Sequence, residues 1–338
     1  MSTKMNNSKT ISLYKYISSA VIDGHLPEDF SLPQIINDNE PGWMDGALDG
    51  VCIFHTMFSD MSDEERTLMI KAVNAASEAN IEMADKLFLE LGQKKRAITI
   101  IDELQSYIIE NKDTLSANNL YGHAVHLVTE SADTECVKFG LSLLELFDIE
   151  NNKKLKNVIQ TLGLSDEFSI FAIFIMLKWE NGNNEVFHLA QKLHGWGRIH
   201  AVERIEPETD EIKKWLLKDG VHNTIMPAYS ALVCWQKSDA ESVLKSNLSR
   251  EDFSGIRDII GGLLDEGPVP GISQIENENE IITTFLNKAM SMKPDTTDCE
   301  VIQNILTHYE GDDNNSPDIV DLCKKIIELK ASKPERKI

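Results

Sequence analysis

Cationic and aromatic residues are scarce in this chain. Lys and Arg number 33 against 55 Asp and Glu, a net charge of −22, and aromatics make up 7%. Nucleic acid and anionic lipid bind through phosphates neutralised by Lys and Arg, so this balance, without a local basic patch, excludes both as expected partners. The five cysteines (Cys52, Cys136, Cys234, Cys299 and Cys323) are odd in number, widely spaced and without a C-x-x-C pair. Such spacing gives neither a disulfide framework nor a zinc signature. Long hydrophobic runs are also missing. The longest, Ile170 to Leu177, is well under the roughly 20 residues of a membrane helix. Met1 to Thr10 is polar, unlike a signal peptide. The expectation is a reduced, cytoplasmic protein with no membrane or nucleic-acid partner.

Catalytic signatures are equally absent. There is no Walker loop, no G-x-S-x-G elbow, no H-E-x-x-H and no EF-hand loop. No cysteine has a haem-thiolate setting, and no flavin signature is visible. Catalytic residues are therefore left unassigned, and composition and motif name no cofactor.

What is present is helical periodicity. A chain of 338 residues with 42% hydrophobic residues exceeds one compact core, so it splits into domains or forms an extended array. Ser62-Asp63-Glu64-Glu65 has the form of a capping box, and Leu68, Met69, Ala72, Val73 and Ala76 follow it at the spacing of a buried stripe. Similar patterns predict helices near 44–58, 96–110, 117–130, 133–147, 152–162, 166–179, 184–193, 197–206 and 209–218. Others follow near 223–236, 250–264, 278–292, 298–309 and 317–331. No segment alternates like a strand. Asn151-Asn152 and Asn183-Asn184 recur after 32 residues, and Asp133 and Asp166 after 33, a cadence suited to one helical hairpin per repeat. The fold expected is all-α, an array of short antiparallel helices forming a HEAT-like α-solenoid. Its divisions would be 1–43 (N-terminal helix and Pro-rich linker), 44–264 (repeat array) and 265–338 (helical cap after the Gly-Pro break).

Rare residues concentrate between Trp179 and Trp235, which hold four of the five tryptophans. At the centre lies Gly195-Trp196-Gly197-Arg198-Ile199-His200. It is a poor dinucleotide fingerprint, because His200 replaces the third glycine and a helix, not a strand, precedes it. Arg198-x-x-Ala201-Val202-x-x-Ile205 is similar to the Arg-x-x-Ala-Ala-x-x-Leu core of HEAT-type repeats. That likeness assigns Arg198, Ile199, Val202 and Ile205 to inter-helix packing. Trp196, His200, Glu203 and Arg204 fall on the opposite side of the same helix, where they are candidates for contacting a ligand or partner. Trp215, His222, Asn223 and Tyr229, with Trp235, are candidates for a far wall, or for ordinary aromatic core. Glu185-x-x-His188, and His123-x-x-His126 with Glu130, have metal-like spacing on a helix. Each is isolated, so no metal site is expected.

Leu189-Ala190-x-x-Leu193-His194-Gly195-Trp196-Gly197-Arg198-Ile199-His200-Ala201-Val202-Glu203, followed by Ile212-Lys213-Lys214-Trp215-Leu216-Leu217-Lys218-Asp219-Gly220 and Asn223, resembles a family of Bacillus- and Clostridium-type proteins labelled limonene hydroxylase. The resemblance implies an oxidoreductase that hydroxylates limonene to carveol or perillyl alcohol and oxidises those alcohols further, with NAD(P) as the implied cofactor. Side chains alone do not activate O₂, and the residues supply no such centre. The alternative is a non-enzymatic HEAT-like scaffold that binds a protein or a small apolar molecule such as a monoterpene.

Overall fold

A computed structural model of the chain describes residues 11–33, 42–56, 58–267, 269–311 and 316–331. The polar start of the chain and residues 34–41 of the expected linker lie outside them. Among the described residues are eighteen α-helices and no β-sheet, so the chain forms the all-α array its periodicity predicts. Two compact units result, Met1–Ala201 and Val202–Ile338.

The first unit holds α1 (Leu13–Ala20), α2 (Ala47–Phe54), α3 (Asp63–Ser77), α4 (Ile81–Lys94), α5 (Ala97–Glu110), α6 (Ala117–Glu130), α7 (Thr134–Leu144), α8 (Lys153–Gly163), α9 (Asp166–Met176) and α10 (Gly182–Ala190). The unit boundary falls within α11 (Trp196–Arg204). Successive helices pair, α3 with α4, α6 with α7 and α8 with α9. The pairs then stack, α3 on α6 on α8 in one row and α4 on α7 on α9 in the other. Polar residues set where each helix begins. The Ser62 hydroxyl accepts from the Glu65 amide while Glu65 accepts from the Ser62 amide, closing the capping box of α3. Asp133 caps α7 and Asn152 caps α8. The stripe expected on α3 is buried in full. α7 and α9 sit in the middle of their row, and Cys136 to Leu144 of α7 are buried without interruption. That continuous burial includes Lys138.

The second unit contains α12 (Asp210–Lys218), α13 (Ala228–Lys237), α14 (Ala240–Lys245), α15 (Arg250–Leu263), α16 (Glu278–Met292), α17 (Thr296–Tyr309) and α18 (Pro317–Ala331). α15 is its centre and packs against α12, α13, α14 and α17. The Gly-Pro-rich stretch after Leu264, expected to open a separate cap, is the connection from α15 to α16 within this unit. Phe253 and Phe285 stack at 5.0 Å across it, joining α15 to α16 through the core.

Candidate functional site

The start of α11 is fixed from a distance by Asp166, the first residue of α9. Its Oδ1 accepts the Gly197 amide at 2.9 Å. A side-chain carbon at Gly195 would lie 2.2 Å from Asp166 Oδ2, and one at Gly197 would lie 2.7 Å from Oδ1. Glycine is required at both positions because the carboxylate occupies that space. Burial, reinforced by the charges of Asp45 and Glu167 and opposed by the Gly197 and Gly195 amides, pushes the Asp166 carboxyl up to about 7. The free amides that make a helix N-terminus attractive to a pyrophosphate are thus already used by a side chain. NAD(P) does not fit at this Gly-x-Gly turn, and no step is derived through it.

The face of α11 expected to look outward is covered. Trp196 is 4% exposed and His200 1%. The cover is α2: Phe54 lies 6.0 Å from the Trp196 ring and 6.1 Å from His200, stacked on the latter. The indole lies so close to the Gly50 backbone that a side-chain carbon there would fall 2.2 Å from Trp196 Cε3. A helical wheel separates two faces of α11, but it does not reveal that a helix about 150 positions upstream packs on the second. Trp196 and His200 are therefore core residues rather than an open surface.

The remaining candidates have local roles. Arg198 is buried, and its Nη1 donates to the carbonyls of Ala190 (3.2 Å) and Leu193 (3.3 Å), closing the end of α10. Ile199, Val202 and Ile205 are fully buried. Glu203 and Arg204 are half-buried, and burial pushes the glutamate's pKa up and the arginine's down against their mutual attraction. Trp215, His222, Asn223 and Tyr229 belong to the second unit. His222 is exposed and meets Asp258 at 3.1 Å. Asn223 ties its own turn, accepting from the Ile225 and Met226 amides and donating to the Val221 and Met226 carbonyls. Trp215 and Tyr229 are half-buried on α12 and α13.

A second constellation, invisible in the sequence, lies between α2, α5, α7 and α9. Lys138, with no exposed side-chain surface, places its ammonium 2.6 Å from Asp49, 3.1 Å from Glu135 and 2.5 Å from Glu167. Arg96 adds a second cation, 2.8 Å from Asp49 and 3.4 Å from Glu135. Burial opposes charge on every member. For Asp49, the two cations outweigh that penalty and hold the carboxyl below its usual range. For Glu135, burial prevails and the carboxyl is raised. Lys138 is held above the ordinary lysine value because its three carboxylates outweigh its burial. A lysine bound in this way is a locked ion, not a nucleophile, since only the neutral amine attacks.

The largest apolar recess of the first unit is a groove of about 530 Å³ between the ends of α5 and α6 and the α7–α8 connection. Ile108, Leu115, Leu120, Phe147, Ile149 and Trp179 are among its lining residues. Trp179 is 5% exposed, carries the Lys156 ammonium 4.3 Å above its ring, and has a buried Nε1 with no hydrogen-bond partner. Lys178 stands at the groove paired with Glu145 at 3.0 Å. Of this site the sequence marked only Trp179, as the edge of the tryptophan-rich stretch. The other lining residues come from three separate segments that no motif connects.

Neither a family model, nor a curated protein, nor a solved structure matches the chain. No helix among the described residues is long and apolar enough to cross a membrane.

Proposed function

We propose that this chain is a helical-repeat binding module that takes a small apolar molecule in the groove beside Trp179. The groove carries the reading: its volume of about 530 Å³ lies within the range of small-molecule sites, and its lining is mainly apolar with few polar groups at the margin. The resemblance to proteins labelled limonene hydroxylase supplies the ligand class, a monoterpene. The locked state of Lys138 and the filled N-terminus of α11 support binding without chemistry at those two places.

Titration of the purified chain with limonene, read by tryptophan fluorescence, tests this. A saturable change is expected in the native chain. It should be absent from Trp179→Phe, which removes the reporter, and from Leu115→Glu, which sets a charge into the half-buried apolar lining. No saturable change, or an equal one in Leu115→Glu, would refute the assignment. The oxidoreductase reading makes the same molecule a substrate. Carveol or perillyl alcohol formed from limonene with O₂ and NAD(P)H, detected by gas chromatography, would favour that reading over the module.

A further inference from the structure

Away from the groove and the Lys138 cluster, α4 and α6 bring together a carboxylate and two imidazoles. His123 and His126 stand one turn apart on α6, and both direct Nε2 at Asp85 of α4. The His126 nitrogen is 3.0 Å from Asp85 Oδ2, and the His123 nitrogen is 3.7 Å from Oδ1. The His123 side chain is 2% exposed, and neither of its ring nitrogens has a hydrogen-bond partner. Asp85 Oδ1 is also buried and unsatisfied. Two orphaned polar atoms therefore face each other across a gap too long for a hydrogen bond.

That gap has a chemical meaning. Two ligands bound to one ion at about 2.0–2.1 Å, at the tetrahedral angle, lie roughly 3.4 Å apart. The two separations at Asp85, 3.0 and 3.7 Å, bracket this value. The rings are 5.8 Å apart and inclined at 36°, so both edges approach one region from α6. The His123 ring is held by stacking on Phe88 at 5.6 Å, one turn along α4 from Asp85. Burial also pushes His123 down in pKa against the pull of Asp85, which keeps the ring in the neutral form that ligates metal. The carboxylate expected from sequence spacing, Glu130, is engaged elsewhere, with Lys15 at 2.8 Å. The third ligand comes from another helix, which is why the spacing on α6 alone looked incomplete.

We propose that Asp85, His123 and His126 form a binding site for a divalent transition-metal ion. Two imidazoles and a carboxylate suit zinc or iron(II) and leave further positions for water or a ligand. As the side chains stand, no group of three His, Cys, Asp or Glu among the described residues is closed into a metal cage. Binding exchanges the His126–Asp85 hydrogen bond for two bonds to the ion, by rotation of a carboxylate that is 42% exposed.

The test is calorimetric titration of the chelator-stripped full chain with Zn²⁺, joined to the visible spectrum of the Co²⁺ form. One equivalent and a nitrogen-ligated Co²⁺ spectrum are expected. Asp85→Asn and His126→Ala change partly exposed side chains, so the fold should persist by circular dichroism. Each should weaken Zn²⁺ by more than about tenfold, since losing even an outer partner of a ligand costs that much. No stoichiometric binding, or native affinity in both variants, overturns the proposal. Limonene binding in the groove is a separate measurement, so either reading can fail without the other.

Discussion

Asp166→Asn should make the first unit more stable at alkaline pH and remove a pH dependence that the native chain carries. The Asp166 carboxyl is raised from an ordinary 3.8 to about 7 because it is buried against Asp45 and Glu167. A raised folded-state value means that the folded chain holds its proton over a range where the unfolded chain has released it. The contribution is fully present below about pH 4 and is lost as pH rises through 7. A shift of about three units corresponds to about 4 kcal/mol between those limits, and to about 2–3 kcal/mol between pH 5 and pH 8. Asparagine keeps an oxygen for the Gly197 amide and carries no charge at any pH. Urea unfolding of both proteins from pH 4.5 to 8.5 isolates the effect, because all other titrations cancel in the difference. Asn should lead at pH 8 by most of that amount, and the lead should shrink as pH falls to 5. A constant difference across the range, or a lead that grows toward acid, would refute the burial argument.

Other outcomes follow from the same geometry. Lys138→Met leaves Asp49, Glu135 and Glu167 without their shared ammonium, so unfolding free energy should fall by about 3–5 kcal/mol, with partial recovery when Asp49→Asn is added. Gly197→Ala sets a methyl 2.6 Å from Ser169 Oγ and 2.7 Å from Asp166 Oδ1, and should cost about 1–3 kcal/mol, seen as a lower melting temperature. Arg198→Met removes the donor to the Ala190 and Leu193 carbonyls; loss of amide protection in hydrogen exchange should concentrate at the end of α10.

The fold was legible wherever helices announce themselves locally. Ser62 and Glu65 mark α3, and Asp133 and Asn152 mark α7 and α8, because a cap is a short-range bond between residues three apart. α4 and α14 were not anticipated, and both follow a turn without glycine or proline. Ala79 makes the first with φ 58° and Asp239 the second with φ 56°; the turns give no sequence signal because ordinary residues adopt a glycine-like conformation there. The sites were legible only in part. Helical periodicity placed Ile199, Val202 and Ile205 on a packing face, but burial of Trp196 and His200 depends on α2, far upstream. His123 and His126 stood out by spacing, whereas Asp85 comes from a different helix. The Lys138 cluster draws its carboxylates from three segments, and no one-dimensional pattern encodes such a meeting.

That cluster bears on how the first unit assembles. Stacked helical arrays are built largely from neighbour contacts, so their ends can open and close with some independence and they gain structure quickly. Here one ammonium is shared by residues of α2, α7 and α9, and the Gly46 amide beside it donates to Glu167 across 121 positions. A partly folded form lacking α2 would hold Lys138 against two glutamates with Asp49 missing, and one lacking α9 would strip away Glu167. Either loss leaves charge in a nonpolar interior, so fraying from one end is penalised at the centre. The buried ions thus convert a chain of local contacts into one cooperative unit, with a closing step that waits for the most distant segment to dock.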